Sequence, residues 1–502
     1  MDFFNAMKPE EPCMTENGAI GYRTTNNLLV DLNFKVPQLR SANIDDMNEF
    51  IDYHKLVEEK NLLIWLFFLR DIREGLGERD AFRKICIGLI SNGNKYIKQC
   101  LKFIPMYGRC DDLVYLLGYN NNIDKEICHI IHDVLVNDLK SDHPSLMAKW
   151  LPSINGGKKA KKLALKLYRA MQAYEEFNIF ESLADYRKKI SALRKKIDIV
   201  ESKMAANKWG EIDYDAVPSK ANLKYDKAFI NHDRERRMAW MDGLRTGESK
   251  VNASTLYMYD IVLKCVHDYV YKEYNEDLIE AMWKRLPQYE MPSNYMMIRD
   301  GSGSMTSPIN NNSNVSALNV ADSITIYCSE RCTGAFHNKF ITFSSTPRLV
   351  DLNGCDTLIK KILKMGKYSD YTNTNIEATM RLILDTAINN KCAQEDLPNL
   401  IIVSDMEFDY CMKMPNANLW KAIEKDFNDA GYKLPSITFW NVNSRSSTIP
   451  MKENEYGVTL VSGFSPHILK MVMERVSPWE ALKSVLESDR YKPIREEIGA
   501  VL

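Results

Sequence analysis

From about residue 45 to 285, apolar side chains recur every three or four positions. Leu56, Leu62, Leu63, Leu66 and Phe67 form one such face, and Ile85, Ile87, Leu89 and Ile90 form another, so this part of the chain is predicted to be helical. Breaks such as "SNGN", "GYNNN" and "PSINGG" separate the helices. Their spacing suits a stack of antiparallel helix pairs better than a single bundle. No strict repeat accompanies it.

Near residue 290 the period changes. Short apolar runs, "YMMI", "KFITFSS", "NLIIVSD", "SITFWNV" and "GVTLVSG", alternate with helical stretches such as "IEATMRLILDTAI" and "LWKAIEKDF". Strand and helix in alternation predict a doubly wound, mostly parallel sheet. Such sheets place ligand sites at the carboxyl ends of their strands, and Asp300 and Asp405 both follow an apolar run there. The expected organisation is therefore two-domain. An N-terminal arm covers residues 1–40, an all-α helical-repeat domain 41–290, a doubly wound α/β domain 291–480 and a tail 481–502.

Composition sets limits on this picture. A chain of 502 residues is too long for one ordinary core. A net charge of −1 excludes a polycation, so nucleic-acid affinity would have to come from a local patch. The eleven cysteines include no C-x-x-C pair, which argues against a zinc ribbon or a disulfide framework. The N-terminus lacks the basic start and apolar run of a signal peptide, and "LLIWLFFL" at 62–69 is too short to span a bilayer. A cytoplasmic protein with no membrane partner is expected.

The loop "RDGSGSM" (299–305) carries the clearest chemistry. Asp300, Ser302 and Ser304 offer a carboxylate and two hydroxyls at alternate positions, "YTNTN" (371–375) opens a helix with a further hydroxyl, and Asp405 stands in a third loop. All are hard oxygen donors, with no Cys or His among them. They suit a divalent cation, Mg²⁺ first with Mn²⁺ and Ca²⁺ as alternatives, and not Zn²⁺. Two carboxylates and three hydroxyls leave a coordination position open to a partner. Glu407 and Asp409, just past the third loop, are either groups that support the metal ligands or a solvated turn, and the turn is the favoured reading.

These three loops, in this order after strands, resemble the metal-ion-dependent adhesion site of von Willebrand factor A domains. The resemblance implies a metal set of Asp300, Ser302, Ser304, Thr374 and Asp405. Thr372 is the reserve for Thr374, because the family's usual Gly-Thr-Asp is replaced here by Thr-Asn-Thr-Asn.

In the helical half, "LRDIREGLGERDAFR" (69–83), "YGRCDDLVYLL" (107–117), "AKWLPS" (148–153) and residues 186–219 resemble the TROVE module of Ro ribonucleoproteins. The order of parts, helical module and then A domain, is also that of Ro proteins. A closer likeness is to an uncharacterised Ro-like family of plants, fungi and large viruses with "TENGAxGYxTT" near its start and "SDMxFD" in its third metal loop. The resemblance implies a HEAT-like helical ring or crescent, RNA as partner and no catalysis.

Charge patterning bears on that partner independently. Between residues 157 and 200, twelve Lys or Arg face five acids, a local excess of seven positive charges. Lys158, Lys159, Lys161, Lys162, Arg187, Lys188, Lys189, Arg194, Lys195 and Lys196 are the candidate RNA contacts. Lysines of a solvated helix face would give the same pattern. Arg70, Arg73 and Arg79 read instead as structural. "CHIIH" (128–132) has no second ligand pair at zinc spacing, no phosphate-binding loop occurs, and the serines of "GSGSM" do not form a nucleophile elbow. The expectation is a non-enzymatic RNA-binding protein. The alternative is a metal-dependent interaction or assembly component, viral or phage in setting, whose partner donates an acidic residue to the metal.

Overall fold

The computed structural model describes residues 12–47, 51, 59–197, 199–273, 275–291, 294–310, 313–344, 346–369, 375–410, 418–453, 456–473, 476–500 and 502. The chain divides into two compact units, one of residues 1–41 and 256–485, the other of 42–255 and 486–502. A helical domain and an α/β domain are both present, but their boundaries differ from those expected. The N-terminal arm belongs to the α/β unit. So do the helices Met258–Val270 and Glu276–Lys284, whereas the last residues belong to the helical unit.

The helical unit is built around Lys60–Arg70, which is buried from Leu62 to Arg70. An apolar run with no polar face can only sit at the centre of a packed layer. The helix Arg79–Ser91 packs along it. Asp112, fully buried, accepts from Arg70 Nε at 2.9 Å and from Arg83 Nε at 2.5 Å. Arg70 therefore has the structural role expected of it. The C-terminal helix Lys492–Ile498 also packs on Lys60–Arg70. Arg490 secures this return by donating to both oxygens of Asp71 at 2.7 and 3.1 Å, and Tyr491 stacks on Tyr107 at 5.7 Å.

Among the described residues the α/β unit holds an N-terminal hairpin, β1 (Pro12–Met14) and β2 (Ile20–Tyr22), and a separate six-stranded sheet. The strands of the sheet are β3 (Tyr295–Asp300), β4 (Lys339–Phe343), β5 (Leu349–Asp351), β6 (Asn399–Ser404), β7 (Ile437–Asn441) and β8 (Val458–Ser462). Their order is β5-β4-β3-β6-β7-β8, parallel except for the antiparallel edge strand β5. β3 and β6 read as continuous apolar runs because both of their faces are covered. The helix Ala317–Ser329, buried along most of its length, covers β3 and packs on Met258–Val270. That packing explains why Met258–Val270 joins this unit.

The N-terminal arm is ordered by specific contacts with the α/β unit. Asn27 caps the helix Leu28–Phe34, accepting from Leu29 and Val30 N–H at 3.1 Å each. Asp31 holds the preceding turn through Thr25, which donates its N–H and hydroxyl at 2.8 and 2.7 Å. The helix end is tied to the sheet by Asn441, which donates to the Phe34 carbonyl at 2.8 Å, and by Ser462, which donates to that of Asn33. Tyr22 exchanges main-chain hydrogen bonds with Ile449 at 2.9 and 2.8 Å. Gly21 lies so close that a Cβ there would meet the Ile449 carbonyl at 2.6 Å, so the close approach needs glycine.

Candidate metal centre and basic surface

The sheet order reverses at β3, with β4 on one side and β6 on the other. Chains leaving β3 and β6 therefore diverge and open a crevice at the carboxyl ends of these strands. Asp300 ends β3 and Asp405 directly follows β6, so both stand at this switch point.

The first loop is organised by Asp300. Its Oδ1 accepts the Ser302 N–H at 2.9 Å, forming an Asx turn, and its Oδ2 accepts the Ser404 hydroxyl at 2.5 Å. The turn brings the Ser302 and Ser304 hydroxyls to 3.0 Å from each other. Ser304 also hydrogen-bonds the Asp405 carboxylate, which joins the first loop to the third. In the third loop Met406 adopts a left-handed φ of +61°, and its N–H donates to the Ser404 hydroxyl at 2.9 Å. A methionine held there is strained backbone that its surroundings must impose.

Both carboxylates are buried, Asp300 completely and Asp405 to 1% exposure. Burial raises the Asp300 pKa. For Asp405, burial and then the adjacent Asp300 charge push it up to about 7, against the hydrogen bond from Ser304. Asp300 has no ion-pair partner among the described residues, and the one guanidinium near Asp405, that of Arg445, is 3.8 Å away. Two buried, like-charged carboxylates with so little compensation favour a cation or a proton. Among the described residues no three His, Cys, Asp or Glu converge. A cation here would thus rest on Asp300 and Asp405 with the hydroxyls of Ser302 and Ser304, a hard-oxygen set that fits Mg²⁺. Thr372 and Thr374 lie outside the described residues. The helix after them, Ile376–Asn390, begins where expected, capped by Asn375, which accepts from Ala378 N–H at 2.9 Å.

Of two further residues around this centre, one was not legible as such in the sequence and the other carries two readings there. Arg299, fully buried, donates Nε to Asp322 at 2.7 Å and Nη2 to Ser369 at 2.9 Å. It ties the end of β3 to Ala317–Ser329 and to the segment leading into the second loop. Glu407 corrects the expectation of a solvated turn, for its side chain is fully buried. Its Oε1 accepts from Arg445 and Ser446 N–H at 2.9 and 2.8 Å, and its Oε2 from Glu16 N–H at 2.8 Å. The N-terminal segment continues along the same loop. Thr15 donates to the Phe408 carbonyl at 2.7 Å, Asn17 to that of Glu407 at 2.7 Å, and Gly18 bridges Asp409.

In the helical unit the basic residues separate into two groups. Lys158, Lys159, Lys161 and Lys162 open the helix Lys158–Ala173 and are exposed, as are Arg187, Lys188, Lys195 and Lys196 on Leu183–Lys196. Lys159 lies over the Tyr115 ring at 5.7 Å, and Lys196 reaches the Ser141 carbonyl at 3.0 Å. Lys158, Lys161, Lys162, Arg187 and Lys195 form no ion pair among the described residues. Arg194 is different. Its Nε and Nη2 donate to the Ala148 and Leu151 carbonyls at 2.8 and 2.6 Å, so it closes the short helix Met147–Trp150 and is not a free phosphate contact. Lys189 is likewise engaged, by the Ile179 carbonyl at 2.6 Å and Asp185 at 2.8 Å. No helix among the described residues is long and apolar enough to cross a membrane.

Comparison with known proteins gives similarities without an assigned activity. A family model described as "Domain of unknown function (DUF7788)" matches residues 294–497, and one described as "Domain of unknown function (DUF2828)" matches residues 130–289. The chain is 27% identical over 527 aligned positions, covering 96% of its own length and 88% of the relative's, to an uncharacterized protein of Acanthamoeba polyphaga mimivirus. Along nearly its whole length, then, the chain is similar to a large-virus protein.

Proposed function

We propose that this is a non-catalytic, Ro-like RNA-binding protein. Its helical unit would be a TROVE-type, HEAT-like repeat module and its α/β unit a von Willebrand factor A domain holding a divalent cation. The observation that carries the RNA reading is the exposed basic face beginning at Lys158, where lysines that form no ion pair among the described residues stand on the first turns of one helix. Four like charges at a helix N-terminus oppose the helix dipole and one another, a local cost that a polyanion would offset. The metal contributes to architecture or to partner binding.

The test is purification of the full chain at low salt. RNA that copurifies, seen as a high 260/280 absorbance ratio and lost on nuclease and high-salt treatment, supports the reading. Protein that is free of RNA and binds no added RNA at low salt refutes it.

The buried pair Asp300 and Asp405 favours a second reading, a metal-dependent interaction or assembly protein with no RNA role. There a partner's acidic side chain would fill the open coordination position. Capture of a partner in Mg²⁺ but not in chelator, and its loss in Asp300→Ala, would support this reading.

A further inference from the structure

We infer that Glu407 is a positioning residue of the candidate metal centre, and that through it the N-terminal segment 15–19 is a structural component of that centre. This rests on the metal reading of Asp300 and Asp405.

Glu407 is the second residue after Asp405, and its own N–H approaches Asp405 Oδ1 at 3.3 Å. Its carboxylate collects three main-chain N–H groups from two remote places in the chain. A buried carboxylate so solvated by peptide donors is costly to move, because each donor it left would stay buried and unpaired. It therefore supplies the rigidity that the left-handed Met406 between it and Asp405 requires. Thr15 and Asn17 add two hydrogen bonds from the same N-terminal segment to the carbonyls of residues 408 and 407. The charges continue the link. Arg445, whose N–H Glu407 holds, places Nη2 2.8 Å from Glu16 Oε2 and 3.8 Å from Asp405 Oδ2. A cation bound at Asp405 repels this guanidinium toward Glu16, so metal occupancy and docking of the segment favour each other.

The chemistry of the acceptors gives a selective perturbation. In Glu407→Gln the amide oxygen can still accept from Arg445 and Ser446, while the NH₂ group faces the Glu16 N–H, donor against donor. The variant should release residues 15–19 without emptying the core. A second variant, Thr15→Val with Asn17→Ala, weakens the same docking and leaves Glu407 intact.

Mg²⁺ binding to the full chain is measured by titration calorimetry, and hydrogen exchange of the peptide covering residues 15–22 is followed with and without Mg²⁺. The expected result is a Mg²⁺ dissociation constant raised about 10-fold or more in both variants, faster exchange of the peptide in both, and slower exchange in wild type when Mg²⁺ is added. Variants that loosen the segment yet bind Mg²⁺ as wild type does overturn the positioning role and leave the metal reading intact. Wild-type protein that binds neither Mg²⁺ nor Mn²⁺ overturns the metal reading and this inference with it.

Discussion

Ser404 donates its hydroxyl to Asp300 Oδ2 at 2.5 Å and accepts the Met406 N–H at 2.9 Å. One side chain at the end of β6 thereby fixes both the carboxylate that ends β3 and the strained turn of the third loop. Ser404→Ala leaves a buried carboxylate oxygen and a buried N–H without this partner. It should destabilise the protein by about 1–3 kcal/mol, measured by urea denaturation in chelator, and should weaken Mg²⁺ binding.

Asp300 and Asp405 make the stability of the metal-free protein depend on pH in an unusual direction. The Asp405 pKa is raised to about 7 from its ordinary 3.8, so between these values the folded state holds a proton that the unfolded state has lost. Stability in chelator should therefore fall as pH rises from about 4 and level off above about 7. Mg²⁺ should restore it, by about 2.7 kcal/mol at one hundred times its dissociation constant. Asp405→Asn should be more stable than wild type in chelator at pH 8 and should show no Mg²⁺-dependent rise in thermal midpoint.

The basic face and Arg194 should respond differently to mutation. Replacing Lys158, Lys159, Lys161 and Lys162 together by Ala should weaken RNA binding and flatten the slope of log affinity against log salt by about 2–3 units. Arg194→Ala should leave the slope unchanged and lower thermal stability, because what it loses are bonds to the Ala148 and Leu151 carbonyls. Filter binding across a salt series, with a melting curve for each variant, checks both.

The C-terminal return depends on Arg490. Its partner Asp71 is 1% exposed, and Arg490→Ala would leave that carboxylate buried and short of its cation. A loss of about 3 kcal/mol is expected. Limited proteolysis should then cut near residues 486–492 faster than in wild type.

The alternation of apolar runs and helical stretches was enough to find β3, β4, β6, β7 and β8, because a parallel strand covered on both faces must be apolar throughout. β5 escaped it. Leu349–Asp351 is a three-residue edge strand with only Val350 buried, too short to carry a period. The spacing of Asp300, Ser302 and Ser304 was legible for a similar reason, since an Asx turn needs only residues two apart.

What the sequence by itself determined is what local spacing encodes: two kinds of architecture in order along the chain, the carboxylates that end β3 and follow β6, and the cluster of lysines from 158 onward. What tertiary structure alone decided is what depends on partners remote in sequence. Glu407 looked like part of a solvated turn because its donors lie at residue 16 and at residues 445 and 446. Arg194 looked like any other cation of the patch until the Ala148 and Leu151 carbonyls engaged it. The arm read as a separate N-terminal segment and the packing of the tail was open, yet Glu16 belongs to the α/β unit and Arg490 to the helical one. Charge and hydropathy are properties of a residue, but burial and hydrogen-bond partnership belong to the folded chain, and these separate a structural ion from a free one.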